Sequence, residues 1–292
     1  MKLSRAEYVL LIVTIVAASG WLFSKKALGE FQPYSFIALR FSLAAAVLAL
    51  FCLPQLLSLT RNQVFRAATT GSSLGVTLLF WVIGLQETSS IGESSFIVSL
   101  TVIAVPIISW ILFSEKIPAI LPIALIPALI GLAFLTLDNG FAVETGQLYF
   151  LIATAGFALH MNLSSHFASD IPSLASTTIQ LIVVGIISGA VAVFLESWPN
   201  AGIQSWAWLM ASAVIATSFR FTLLNYALKL TTPSHTAMIL LLEPIWTAVL
   251  GAWLLSEVLS SNKILGCVLI FIALIVFRLP STLRSAKRYS KP

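Results

Sequence analysis

The chain has 292 residues, 59% of them apolar and 9% charged, with a mean hydropathy of +1.00 and a net charge of +5. A soluble domain is about a quarter charged and about 45–50% apolar, so this composition cannot cover a folded surface facing water. It excludes an ordinary cytosolic enzyme, a secreted disulfide scaffold, a coiled coil and a disordered tail, and leaves an all-α polytopic membrane protein. A helix spans the hydrocarbon layer in about 20 residues and tight connections are short, so the length accommodates about ten crossings and no sizeable soluble domain. The basic tail Arg284, Lys287, Arg288 and Lys291 suits the anionic inner leaflet, and no nucleic-acid partner is expected. Cys52 and Cys267 lie in apolar runs and offer neither a disulfide framework nor a metal site.

In chain order, apolar runs predict helices over 6–28, 33–54, 64–86, 91–114 and 119–137, then over 146–168, 173–195, 204–229, 233–255 and 262–280. The first continues from Ala17-Ala18-Ser19 through Trp21-Leu22-Phe23 and reads as a retained span, not a cleaved signal peptide. The third is diluted by Gly71, Ser72, Ser73 and Gly75, and the sixth holds His160, Asn162 and His166. Polar residues at such depth face a bundle interior or a cavity. Gly71-x-x-x-Gly75 and Gly185-x-x-x-Gly189 predict close helix packing inside the bundle in preference to dimerisation.

With both termini cytoplasmic, 11 Lys and Arg residues fall inside, 3 fall outside (Lys25, Lys26 and Lys263), and Arg40 and Arg220 lie within spans. That asymmetry sets the expected orientation. Sliding the chain by 142 residues lays Ser114-Glu115 on Ser256-Glu257, and Glu87-Thr88-Ser89-Ser90 on Lys229-Leu230-Thr231-Thr232. Each half, 1–140 and 141–292, reads as five helices. Five is odd, so the second half enters the membrane from the opposite face. The expected fold is therefore ten transmembrane helices arranged as two inverted five-helix repeats. Secondary transporters are commonly built this way, with the solute site between the halves near the midplane.

Several short pieces in this frame resemble the EamA-type, ten-helix members of the drug/metabolite transporter superfamily. They are Gly20-Trp21-Leu22-Phe23 with Lys26, Leu39-Arg40-Phe41, Ser114-Glu115, Leu242-Glu243-Pro244 and Leu255-Ser256-Glu257. Val102 stands opposite Pro244 in the repeat, and Pro106 follows one turn later. The resemblance implies transport of small organic solutes, often outward, through a cavity between the halves. Members handle amino acids, nucleotide-like metabolites, vitamins and xenobiotics. A bacterial inner-membrane protein is expected, acting as a monomer or weak homodimer, with no cofactor.

Arg220 and Glu243 are the most informative residues. Counted from the span ends, they lie about 13 Å and about 15 Å from the cytoplasmic face, on helices joined by a tight turn. A lone charge at that depth costs at least about 2.5–3.5 kcal/mol, so the two are expected to meet. One reading is a structural ion pair. The other places them on the cavity wall, with Arg220 facing a solute carboxylate and Glu243 an ammonium group or a coupling proton. Pro244 loosens the helix beside them by releasing the carbonyl four residues back. Trp246 shares a helix face with Glu243, and Trp21, Phe80, Trp81, Tyr226 and His160 complete the candidate solute-binding set. Arg40, Pro106, Pro244, Glu115 and Glu257 form the structural or gating set. No metal cluster, phosphate loop or nucleophile–His–acid arrangement is present in the sequence. An enzyme is therefore not expected. A membrane-embedded enzyme and an uptake system for a vitamin or nucleotide-like metabolite are the alternatives.

Overall fold

The computed structural model describes residues 3–27, 30–87, 96–137, 145–197, 201–255 and 260–289. The helices are α1 (Arg5–Ala27), α2 (Pro33–Leu57), α3 (Arg61–Gln86), α4 (Phe96–Phe113), α5 (Leu121–Thr136) and α6 (Thr145–His166), followed by α7 (Ser173–Leu195), α8 (Ile203–Leu230), α9 (Pro233–Leu240), α10 (Leu242–Leu255) and α11 (Ser261–Tyr289). Among the described residues, seven helices are long and apolar enough to cross a membrane: α2, α3, α4, α6, α7, α8 and α11 up to Arg278. The chain is thus an all-α polytopic membrane protein. Its outer face agrees, since Leu50, Phe194 and Trp253 are 81%, 85% and 77% exposed, as only a hydrocarbon solvent allows.

Local chemistry fixes several ends. Thr60 and Gln63 form a reciprocal cap that starts α3. Pro33 and Pro233 sit in the first turns of α2 and α9, where a missing N–H costs nothing. Ser114 takes a left-handed conformation (φ 55°) that stops α4.

Three interruptions shape the bundle. Pro54 follows a kink in α2 at Cys52, whose sulfur lies 3.2 Å from Thr178 Oγ1 on α7. Pro244 cannot donate to Leu240 O, and the expected span 233–255 is accordingly two helices, of 8 and 14 residues, parted at Leu241. Within α8, Ser212–Phe219 is π-helical. Thr217 Oγ1 donates to Ser212 O at 3.0 Å and Ser218 Oγ to Ala213 O at 2.9 Å, each five residues back.

α2 lies along α7, α3 along α6 and α7, α5 along α11, and α1 along α8, α9 and α10. One buried cluster gathers Leu10, Val105, Met161, Leu224, Met238 and Ile270, and a second gathers Phe36, Phe41, Leu74, Leu181, Leu209 and Phe221. Glycines set the closest crossings. A Cβ on Gly71 would lie 2.8 Å from Gln180 Cα, and one on Gly131 would lie 2.7 Å from Gly266 O. Gly71 therefore serves packing inside the chain.

At the face where α1 begins, α1, α9 and α11 meet. Arg278 donates to Glu7 at 3.0 Å, and His235 Nε2 lies 3.8 Å from the same carboxylate. At the opposite face, Glu196 accepts from Tyr34 N–H, Ser35 N–H and the Ser35 hydroxyl at 2.6–2.8 Å, capping α2 from the end of α7.

Candidate functional site

The two charges expected to meet do so. Arg220 Nη2 donates to Glu243 Oε2 at 3.2 Å, and their side chains are 25% and 20% exposed. Each sits at a break in a helix. Arg220 directly follows the π-helical turn, and its N–H bonds Ile215 O, five residues back. Glu243 lies in the first turn of α10, just past Leu241. Breaks of this kind occur at membrane depth where the freed backbone groups are buried in protein or line a cavity, and they recur at functional sites. The Arg220 guanidinium also lies over the Phe221 ring, 5.5 Å from its centroid.

The remaining predicted residues divide by location. Trp246, one turn beyond Glu243, donates from Nε1 to Thr14 Oγ1 on α1 at 3.1 Å. Arg40 reaches α8 from α2. Its Nε donates to Thr217 Oγ1 at 2.6 Å, Nη1 to Ser24 Oγ at 2.9 Å, and Nη2 lies 3.5 Å from Ala216 O. His160 is 2% exposed and sits in a buried polar network. Its Nε2 lies 3.2 Å from Gln180 Oε1 and 3.4 Å from Ser164 Oγ, and Asn225 Nδ2 donates to Thr177 Oγ1 and toward the same Gln180 oxygen. The network approaches the pair through Phe221, whose ring meets His160 edge-on at 6.3 Å.

Phe80 stacks on Tyr149 at 6.4 Å and Trp81 packs on the second apolar cluster, between α3 and its neighbours. Tyr226 lies under Arg5, 5.4 Å from ring centroid to guanidinium, towards the face where the chain begins. Pro106 is buried in α4, where Asn162 Nδ2 donates to Val105 O at 3.1 Å. Glu115 accepts from Ser109 Oγ just past the end of α4 and, with Lys229, Thr231 and Thr232, lines an open surface depression at that face. The Trp21 side chain and Glu257 lie outside the described residues. Among the described residues, no three His, Cys, Asp or Glu side chains gather as a metal site.

Sequence reasoning missed Thr217, Ser24, Gln180 and Asn225. Their only signal was negative: Arg40 and His160 needed buried partners, and nothing local named them.

Residues 4–137 match the EamA-like transporter family, and residues 144–279 match it again. The chain belongs to that family. It is a polytopic membrane transporter of the drug/metabolite transporter superfamily, a superfamily of small-solute carriers. It is 27% identical over 274 residues to an uncharacterized transporter of Archaeoglobus fulgidus, covering 94% of this chain and 86% of that one. It is 24% identical to the uncharacterized transporter YyaM of Bacillus subtilis, covering 96% and 97%. A solved crystal structure with 16% identity superimposes on the transporter with a TM-score of 0.81, over 99% of this chain and 100% of the other, which shows the shared fold.

Proposed function

We propose that the transporter carries small amphipathic solutes, amino acids foremost, outward across a bacterial inner membrane by alternating access of two inverted five-helix halves, 1–140 and 141–292. Among the described residues, counting α9 and α10 as one interrupted segment gives ten helical segments, which suits ten crossings. Two observations support the halves: the family matches the chain twice in succession, and α3 (61–86) shifted by 142 residues falls on α8 (203–230). The Glu7–Arg278 ion pair supports an even number of crossings, because it joins α1 and α11 at one face. Positive-inside counting makes that face cytoplasmic.

The observation that carries the solute reading is the partly exposed Arg220–Glu243 pair at two helix interruptions. Arg220 would take a carboxylate, and Glu243 an ammonium group or a coupling proton, as the halves rock about them. Trp246 and Phe221 would hold an apolar side chain. The test is solute counterflow in proteoliposomes with labelled amino acids, vitamins and nucleotides run in parallel. Amino-acid exchange above empty liposomes is expected. Exchange of vitamins or nucleotides alone would replace the amino-acid reading with the uptake alternative.

A further inference from the structure

We infer that Arg40 is a positioning residue: it holds the π-helical turn of α8 in register and so keeps Arg220 opposite Glu243. The functional importance of this contact rests on reading that pair as the solute site. A π turn contains one residue more than an α turn. Its collapse to α-helix would advance everything beyond it by one residue, a rotation of about 100° and a shift of about 1.5 Å. Arg220 is the first residue beyond the turn, so its 3.2 Å contact with Glu243 exists only in the π register.

Long π stretches are rare because their geometry is poor. Ser212–Phe219 contains no Pro or Gly to impose one. What holds it is hydroxyl bonding within the turn, itself tied to other helices. The Thr217 hydroxyl donates to Ser212 O, closing the wide turn, and its oxygen is fixed by Arg40 Nε at 2.6 Å. The guanidinium is anchored on its far side by Ser24 of α1. Space for the swollen turn comes from α1 as well, since a Cβ on Gly20 would lie 2.8 Å from Ala216 Cβ. Ser218 Oγ adds a contact to Ala44 O of α2 at 3.1 Å. All three guanidinium nitrogens of Arg40 are engaged in this way, which suits a strut better than a solute contact. An aromatic path reinforces the link. Arg40 lies 5.8 Å from the Phe41 ring, Phe41 lies 5.9 Å from Phe221, and Arg220 covers Phe221.

The test needs no solute. In a background with Cys52 and Cys267 replaced, nitroxide labels are placed at Leu57→Cys on α2 and Leu230→Cys on α8, both exposed, and their separation is measured by electron–electron dipolar spectroscopy. Arg40→Ala is expected to move the distance distribution by several ångströms. Thr217→Val, which keeps the side-chain shape and removes the hydroxyl, is expected to move it the same way. Deleting Ile215 from the Arg40→Ala chain removes the extra residue and is expected to restore the original distance. An Arg40→Ala or Thr217→Val distribution superimposing on the parent's, or a shift that the deletion does not reverse, would overturn the inference. Failure of counterflow with every solute, alongside the expected distances, would remove the solute reading and leave the register mechanism standing.

Discussion

Arg220→Ala is expected to abolish specific solute exchange and to lower thermal stability in detergent, whereas Arg220→Ala combined with Glu243→Gln regains most of the stability and none of the exchange. The two effects separate because they have different causes. Removing the guanidinium leaves the Glu243 carboxylate without its arginine partner in a site that is only one-fifth exposed, at a cost of about 1–3 kcal/mol. Neutralising both partners relieves that cost, since a buried pair adds little net stability over neutral groups of similar shape. Exchange is lost in both variants if the charges bind solute. A purely structural pair gives the opposite pattern, in which the stable double variant carries solute normally.

The second large effect is expected at the face where α1 and α11 meet. Glu7 is 8% exposed, accepts from Ser4 N–H at 2.6 Å and from Arg278 at 3.0 Å, and stands 3.8 Å from His235. It caps the first turn of α1, where a negative charge also favours the helix dipole. Glu7→Gln should therefore destabilise by about 2 kcal/mol. A double-mutant cycle of Glu7→Gln with Arg278→Gln should show a coupling of at least about 0.5 kcal/mol. Additive losses in melting temperature would mean that α1 and α11 do not meet there, and would remove the support that this contact gives to an even number of crossings.

What the sequence made legible and what it hid follow from the range of the interactions. Low charge and long apolar runs are local properties, and they specify a polytopic helical membrane protein. The meeting of Arg220 and Glu243 was legible because a tight turn joins their helices and an unpaired charge at that depth is costly. Pro244 likewise announced the break at Leu241, through the N–H it lacks. The π turn was not legible: Ser212–Phe219 reads as an ordinary apolar helix, and its geometry is held by Arg40, 177 residues from Thr217. The Glu7–Arg278 pair spans 271 residues, and no periodicity encodes such a contact. His160 was expected to be either a hydrogen-bonded core residue or a cavity group. Its partners Gln180 and Ser164 place it in the buried network beside the pair, not in the pair itself. Glu196 follows the predicted span 173–195, and nothing local signals that it caps α2 from another helix.

Counterflow of labelled amino acids into proteoliposomes, by the wild type and Arg220→Ala side by side, tests directly whether Arg220 belongs to the solute site of a carrier. The expected result is uptake above empty liposomes for the wild type and none for the variant, with both proteins inserted and folded. Equal uptake by the two would contradict it.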